Sequence, residues 1–311
     1  MDVVVERCAG LDVHKDTVVA CVRTPGKGGS REQTTRTFKT MTADLLALRD
    51  WLAALGVTLV GMESTGVYWK PVFYVLEDDC ASVSEERSAA RIVDTAIESF
   101  GRLDIVVNNA GIHDPGLFSD LSIEQFQRMI EVHYLGTLFV IRSAWPHLVR
   151  AGYGRVVNTV SEAMLGGVAE LSSYGAAKGA VFGLTRNLAT EGPEHGIRVN
   201  AIAPRAYTRL SAAHTEQMAA ERSIPKEMMD KINASMTPDL VAPAAAFLAH
   251  ESCPLNGEVL QAGLGGVARI AVLCSRGISK RKLTPEDIAD NLDTIMDMDG
   301  GQVRSAVDQS G

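Results

Sequence analysis

Tyr174 and Lys178 lie four positions apart in a segment with helical spacing, residues 174–192. That spacing sets an ammonium about one turn from a phenol on a single helix face. A neighbouring cation favours the phenolate, so the pair predicts a phenol drawn from its usual pKa of about 10 toward neutrality. Such a phenol can pass a proton to or from an alcohol or a carbonyl. Ser161 lies thirteen residues earlier, just after a strand-like run ending near Thr159. Asn108-Asn109-Ala110-Gly111 follows another such run, 103–107. Ligands of open α/β sheets bind at the carboxyl ends of strands, and small residues there let a cofactor approach the backbone. Asn200 to Pro204 ends a third run, with Thr208 beyond it.

These residues need a scaffold, and from about Ser84 the chain supplies one. Helix-length segments at 85–100, 123–149 and 174–192 alternate with short Val/Ile-rich strands at 103–107, 154–159 and 197–203. The alternation predicts βαβ units around a parallel sheet. Thr284-Pro285-Glu286-Asp287 reads as a capped helix start with Pro in its first turn.

Residues 1–79 have a different rhythm. Runs at 6–13, 17–23 and 34–39 read as three strands of an antiparallel meander, with the turn Pro25-Gly26-Lys27-Gly28-Gly29 between the second and third. A helix over 42–55 follows on the spacing of Leu45, Leu46, Leu48, Leu52 and Leu55, then a buried strand over 57–62 and a second helix over 66–76, interrupted near Pro71. The acidic Glu77-Asp78-Asp79 marks the seam, so the chain divides into 1–79 and 80–311.

Composition narrows the function classes. With 46% hydrophobic and 22% charged residues, the 311-residue chain is neither disordered nor a coiled coil. A formal charge of −8 argues against nucleic acid as the main partner. No apolar run is long enough to cross a membrane, and Met1 to Gly10 lacks a signal-peptide core, so the expectation is a cytoplasmic protein. The five cysteines form no CxxC pair and imply neither a zinc site nor a disulfide framework.

The stretches FGRLDIVVNNAG, GRVVNTVSEAMLGG, SSYGAAKGAV and GIRVNAIAP occur in an order and spacing that resemble the short-chain dehydrogenase/reductase family over residues 82–269. VNAIAPRAYTRL and VHYLGT look most like the branch containing hydroxyacyl-CoA dehydrogenase domains. The resemblance implies NAD or NADP as cofactor and a small secondary alcohol or ketone as substrate. It implies Tyr174 as acid/base, Lys178 as the group that tunes Tyr174 and holds the nicotinamide ribose, and Ser161 as the ligand of the substrate oxygen. Asn109, Ala110, Gly111, Pro204 and Thr208 would line the cofactor. The segments 123–149 and 174–192 would pair in a homo-oligomer. Two positions depart from the family pattern. His133 stands where a proton-relay Asn is expected; it could relay through imidazole or serve only in helix packing. Arg205 replaces the Gly expected after Pro204.

A larger departure is the TGxxxGxG turn with which the family opens, which seats the cofactor pyrophosphate on a helix N-terminus. It has no counterpart here, and Gly26-Lys27-Gly28-Gly29 has the wrong spacing to replace it. The expected fold is therefore an incomplete Rossmann-like, doubly wound α/β sheet. The strand at 103–107 should lack its usual neighbour, and 57–62 is the segment expected to cover that edge.

Gly10-Leu11-Asp12-Val13-His14-Lys15 and Met62-Glu63-Ser64-Thr65-Gly66-Val67-Tyr68-Trp69 resemble the start of DEDD-type insertion-sequence transposases, which have an RNase H-like mixed β/α fold. There Asp12 and Glu63 would be the first two metal-binding carboxylates. The other two belong to a later region without a counterpart here, so both acids are read as vestigial and no metal site is expected. Three readings follow: a dehydrogenase/reductase-like oxidoreductase lacking its glycine loop, a non-catalytic dimerising remnant of a fusion, and an inactive transposase fragment.

Overall fold

The computed structural model describes residues 6–26, 30–64, 72, 76, 85–208, 215–216, 219 and 223–307. The chain separates into two compact units, one of residues 1–82 and 87–99 and the other of residues 83–86 and 100–311.

In the first unit, β1 (Cys8–Val13), β2 (Thr17–Pro25), β3 (Arg31–Lys39) and β4 (Leu59–Ser64) form one sheet in the order β3-β2-β1-β4. The expected meander is present: β1–β2 and β2–β3 are antiparallel. Alternation puts Ala9, Leu11 and Val13 of β1 and Val18, Ala20 and Val22 of β2 on one buried face. Helix α1 (Thr42–Ala54) covers that face with Leu45, Leu48 and Leu52, one stripe of the helix. The helix expected over 66–76 lies outside the described residues apart from Val72 and Leu76. Helix α2 (Glu86–Phe100) contributes residues 87–99 to this unit.

Strand β4 corrects one expectation. It pairs in parallel with β1, Asp12 opposite Glu63, and not with the strand at 103–107. The cause is apolar burial: Val60 and Met62 pack into the core under α1.

The second unit holds β5 (Ile105–Asn108), β6 (Gly154–Thr159), β7 (Ile197–Arg205), β8 (Val259–Gly263) and β9 (Gly266–Ile270) in that spatial order. β5 to β8 are parallel, and β9 closes an antiparallel hairpin on β8. Among the described residues β5 has a strand partner only on its β6 side, and its Ile105 and Val107 are about half exposed. Among the described residues, strand order in this sheet follows chain order, without the reversal that makes a switch-point crevice.

Between β5 and β6 run α3 (Ile123–Met129), a π-helical turn (Ile130–Leu135) and α4 (Gly136–Ala151), so the single helix expected over 123–149 is interrupted. A 3₁₀ turn (Glu162–Leu165) and α5 (Ser172–Glu191) join β6 to β7. α6 (Lys226–Ala234) and α7 (Ala242–Ala249) precede β8. Successive residues of β7 face opposite ways. Ala201 and Ala203 pack with Val181 of α5, while Ile202 packs with Ala244 and Leu248 of α7. Helices thus cover both faces of the sheet. After β9 come β10 (Leu273–Cys274), α8 (Pro285–Asp290), α9 (Leu292–Met296) and β11 (Gln302–Val303), with β10 and β11 paired. The expected helix start at Thr284 is present as a capping box between Thr284 and Asp287.

Among the described residues, no helix is long and apolar enough to cross a membrane.

Candidate functional site

The carboxyl ends of β5, β6 and β7 bring the predicted residues of the second unit together. β6 ends at Thr159, and Ser161 then caps the 3₁₀ turn, its hydroxyl accepting from the Ala163 N–H at 3.2 Å. α5 approaches this turn closely because position 175 is Gly. A Cβ there would lie 2.5 Å from the Ala163 carbonyl oxygen, which no side chain tolerates. The approach lets Ser161 hydrogen-bond the Tyr174 phenol.

Lys178 is buried on the same helix, 3% exposed. Its Nζ donates to the Thr159 carbonyl oxygen at 2.7 Å and lies 5.7 Å from the centroid of the Tyr174 ring. Burial weakens the ammonium and lowers its pKa to about 8. Burial also raises the Tyr174 pKa above the usual phenol value, and the Ser161 hydrogen bond is the influence that lowers it. The sequence argument expected Lys178 to draw the phenol toward neutrality. In the structure burial is the largest influence on the phenol and shifts it the opposite way, favouring the neutral phenol.

His133 sits on the π-helical turn, 2% exposed. Its Nε2 lies 2.8 Å from the Ile112 carbonyl oxygen, and its ring meets Tyr174 edge-on at 5.2 Å between centroids. Nε2 donates to that carbonyl, which leaves Nδ1 as a buried acceptor with no hydrogen-bond partner among the described residues. Burial, reinforced by Lys178, lowers the imidazole pKa to about 4. A second imidazole, His113, meets the Tyr174 ring at 5.2 Å from the β5 loop. The Tyr174 phenol is thus flanked by two histidines, one of which the sequence did not single out.

Of the loop after β5, Gly111 has a defined job: a Cβ would lie 2.7 Å from His133 Cε1. The glycine makes room for an imidazole as well as leaving open backbone. Asn109 Oδ1 accepts from the Thr159 hydroxyl at 3.1 Å, and Ala110 is exposed beside it. Asn108 donates to Asn158 at 2.9 Å, and Asn158 donates to Thr185 at 2.9 Å. That buried chain ties β5 to β6 and β6 to α5 directly beneath the site. The loop is also tied to α3, where Gln125 of the Ser122 capping box donates to Asp114 at 3.0 Å.

Pro204 and Arg205 are the last residues of β7, pairing with Ala262 and Gly263 of β8. β6 has already ended, so the missing Pro204 N–H disrupts no ladder bond. Arg205 binds Glu162 through two parallel bonds, Nε to Oε2 at 2.7 Å and Nη2 to Oε1 at 2.6 Å. Sequence reasoning missed Glu162; its position directly after Ser161 was the available signal. Thr208 is the last described residue before 209–214.

A cavity of about 550 Å³ adjoins the 3₁₀ turn. It is lined by Leu117, Phe118, Met164, Val168 and Gly179 and not by Ser161, Tyr174 or Lys178, so the convergent polar groups mark the site better than volume does.

In the first unit, Asp12 and Glu63 occupy directly paired positions of β1 and β4. Asp12 is 60% exposed and lies 3.2 Å from His14 Nε2. Among the described residues no cluster of three or more potential metal ligands occurs.

Residues 80–265 match the family model described as enoyl-(acyl carrier protein) reductase, and residues 9–88 match a transposase family model. A Mycobacterium tuberculosis protein assigned to the short-chain type dehydrogenases/reductases is 37% identical, the alignment covering 71% of this chain and 73% of that protein. The mouse peroxisomal multifunctional enzyme type 2 is 32% identical over 74% of this chain, which spans only 30% of that enzyme's length. A crystal structure of a short chain dehydrogenase from Mycobacterium avium superposes with a TM-score of 0.57 at 26% identity, covering 80% of this chain and 77% of that one.

Proposed function

The chain belongs to the short-chain dehydrogenase/reductase family, and from that premise we propose that its second unit is a nicotinamide-dependent oxidoreductase site for a secondary alcohol or ketone. The convergence of Ser161, Tyr174 and Lys178 on one strand end carries this reading. The likeness to the multifunctional enzymes favours a hydroxyacyl-thioester substrate.

In this reading the Ser161 hydroxyl holds the substrate oxygen, and Tyr174 exchanges a proton with it. Burial keeps the phenol protonated, which suits donation to a carbonyl oxygen as it becomes an alcohol. A bound nicotinamide supplies or accepts the hydride at the neighbouring carbon. The residues present fit the ribose end of such a cofactor. An ammonium has three donors and the Thr159 carbonyl takes one from Lys178, so donors remain for ribose hydroxyls. Asn109, Ala110, Gly111, Pro204 and Thr208 would line it. We read the pyrophosphate end as the part without the family's glycine-rich turn. His133 in this reading is a positioning residue: a neutral imidazole with Nε2 committed to Ile112 is poorly suited to carry a proton outward.

Calorimetric titration with NADH and NADPH tests the reading. Binding that Lys178→Ala weakens is expected. A folded protein that binds neither cofactor would reject it and favour the non-catalytic remnant. We also infer a homo-oligomer through the segments 123–149 and 174–192. In support, Cβ positions at Gly179 and Gly183 of α5 meet nothing within 4 Å, so a partner helix has room to approach closely there. A monomeric mass in sedimentation would reject the oligomer.

A further inference from the structure

The carboxyl ends of β6, β7 and β8 carry a polar cluster that the proton chemistry does not use. Glu162 follows Ser161 after β6, Arg205 ends β7, and Gln261 lies on β8. Arg205 holds Glu162 by the two parallel bonds described above, and Gln261 adds a further side-chain hydrogen bond to the same carboxylate. Arg205 and Glu162 are 42% and 44% exposed, so the pair forms the rim of the site and is not part of the core. A guanidinium fork suits planar or tetrahedral oxyanions, and phosphate oxygens reproduce the geometry that Glu162 offers.

We propose that Arg205 is the phosphate-binding cation of this site and that Glu162 occupies it until a phosphate or pyrophosphate group takes its place. Three observations carry the assignment. The pair lies one residue from Ser161, so a ligand reaching the Ser161 hydroxyl passes beside it. Arg205 and Glu162 are about half exposed, so an incoming phosphate can reach the guanidinium from solvent and present the same oxyanion geometry as the carboxylate it replaces. Gln261 gives the displaced carboxylate a neutral partner that does not depend on Arg205. The proposal leans on the nicotinamide reading only in making a dinucleotide pyrophosphate one natural ligand; a pyrophosphate-bearing thioester carrier is the other.

Calorimetry with inorganic pyrophosphate, NADH and coenzyme A on the wild type, Glu162→Gln, Arg205→Gly and Arg205→Lys tests it. Removing the competing carboxylate in Glu162→Gln should tighten binding several-fold, and Arg205→Gly should weaken it about tenfold, a loss typical of one charge-assisted contact. Arg205→Lys should fall between wild type and Arg205→Gly, since it keeps the charge and loses the fork. Raising the salt concentration should weaken wild-type binding more than that of Arg205→Gly, a difference that a purely structural role would not produce. The order appearing with NADH assigns the site to the cofactor, and with coenzyme A to the substrate carrier. That order with pyrophosphate, alongside absent NADH binding, upholds Arg205 and rejects the nicotinamide reading. NADH binding that ignores every variant, with the order absent for coenzyme A and pyrophosphate as well, upholds the nicotinamide reading and overturns Arg205. Tighter binding by Arg205→Gly, or no pyrophosphate binding by any of the proteins, also overturns it.

Discussion

Asp12 on β1 and Lys178 on α5 are both ionisable groups at a functional-looking position, yet their surroundings differ. Asp12 is 60% exposed beside His14, and it shares its sheet position with a single paired acid. Lys178 is 3% exposed, bonded to the end of β6, and packed against a phenol that itself meets a serine and two imidazoles. Two strands can align a pair of carboxylates by register alone. Holding five side chains from a strand end, a 3₁₀ turn, a π turn and a long helix requires a core beneath them. The buried chain Asn108–Asn158–Thr185 supplies part of that in the second unit. If this contrast is functional, substitutions in the second site should cost activity and stability, and those at Asp12 should cost neither.

The largest expected effect is on turnover. Removing the acid/base hydroxyl with Tyr174→Phe should lower kcat by about 10²–10⁴-fold, the usual worth of a positioned proton-transfer group. Initial rates of ketone reduction with NADH or NADPH check this. Equal rates for Tyr174→Phe and wild type would mean that the two units do not differ in the way drawn above.

Stability against pH should show the next effects. His133 is held to a pKa of about 4 against 6.5 for a free imidazole. The unfolded chain therefore binds the extra proton first, and the stability tied to neutral His133 is lost as pH falls from about 6.5 toward 4. Lys178, lowered from 10.5 to about 8, also makes the unfolded chain bind more protons, here between pH 8 and 10.5. Stability should therefore rise with pH across that window. Each swing is on the order of 3 kcal/mol from the size of the shift. Urea denaturation at stepped pH, with His133→Asn and Lys178→Met as controls, should show each slope flattened by its own substitution. An unchanged slope would contradict the burial of that group.

Much of this was legible in the sequence, and the reasons differ by feature. Regular elements were visible because their burial is periodic, as in the stripe of Leu45, Leu48 and Leu52 and the alternation of β1. Ser161, Tyr174 and Lys178 were visible through spacing within one βα unit. The pairing of β4 was not, because a short apolar run fits either sheet and only packing under α1 decides. The π turn carrying His133 has no composition signal, and so the helix read as continuous. The direction of the Tyr174 shift was misjudged because sequence shows a neighbouring cation but not the burial that raises the phenol. Glu162 and His113 escaped notice because their partners, Arg205 and Tyr174, are 43 and 61 positions away.

A smaller effect should separate packing from chemistry at the same site. Gly111→Ala places a methyl 2.7 Å from His133 Cε1, and the ring has little room because Nε2 is bonded to Ile112. Overpacking of this kind costs about 1–3 kcal/mol. Thermal denaturation should show the loss, and Gly111→Ala combined with His133→Asn should recover most of it because the shorter side chain vacates the clash. Additive losses in the double variant would mean that Gly111 serves its backbone conformation and not the imidazole.

The smallest effect belongs to the first unit. Asp12 is exposed, its paired acid is supplied by one neighbouring strand, and no third ligand joins it among the described residues. Magnesium demands near-octahedral oxygen coordination and gives up its water reluctantly, so two carboxylates alone hold it weakly. Asp12→Ala should shift stability by no more than about 0.5 kcal/mol, as surface substitutions usually do. Millimolar Mg²⁺ should leave the melting temperatures of wild type and variant equally unmoved, and a DNA-cleavage assay should find both silent. A Mg²⁺-dependent rise in the wild type that Asp12→Ala abolishes would reverse the comparison. The first unit would then have a working metal site, completed by residues beyond the two paired carboxylates.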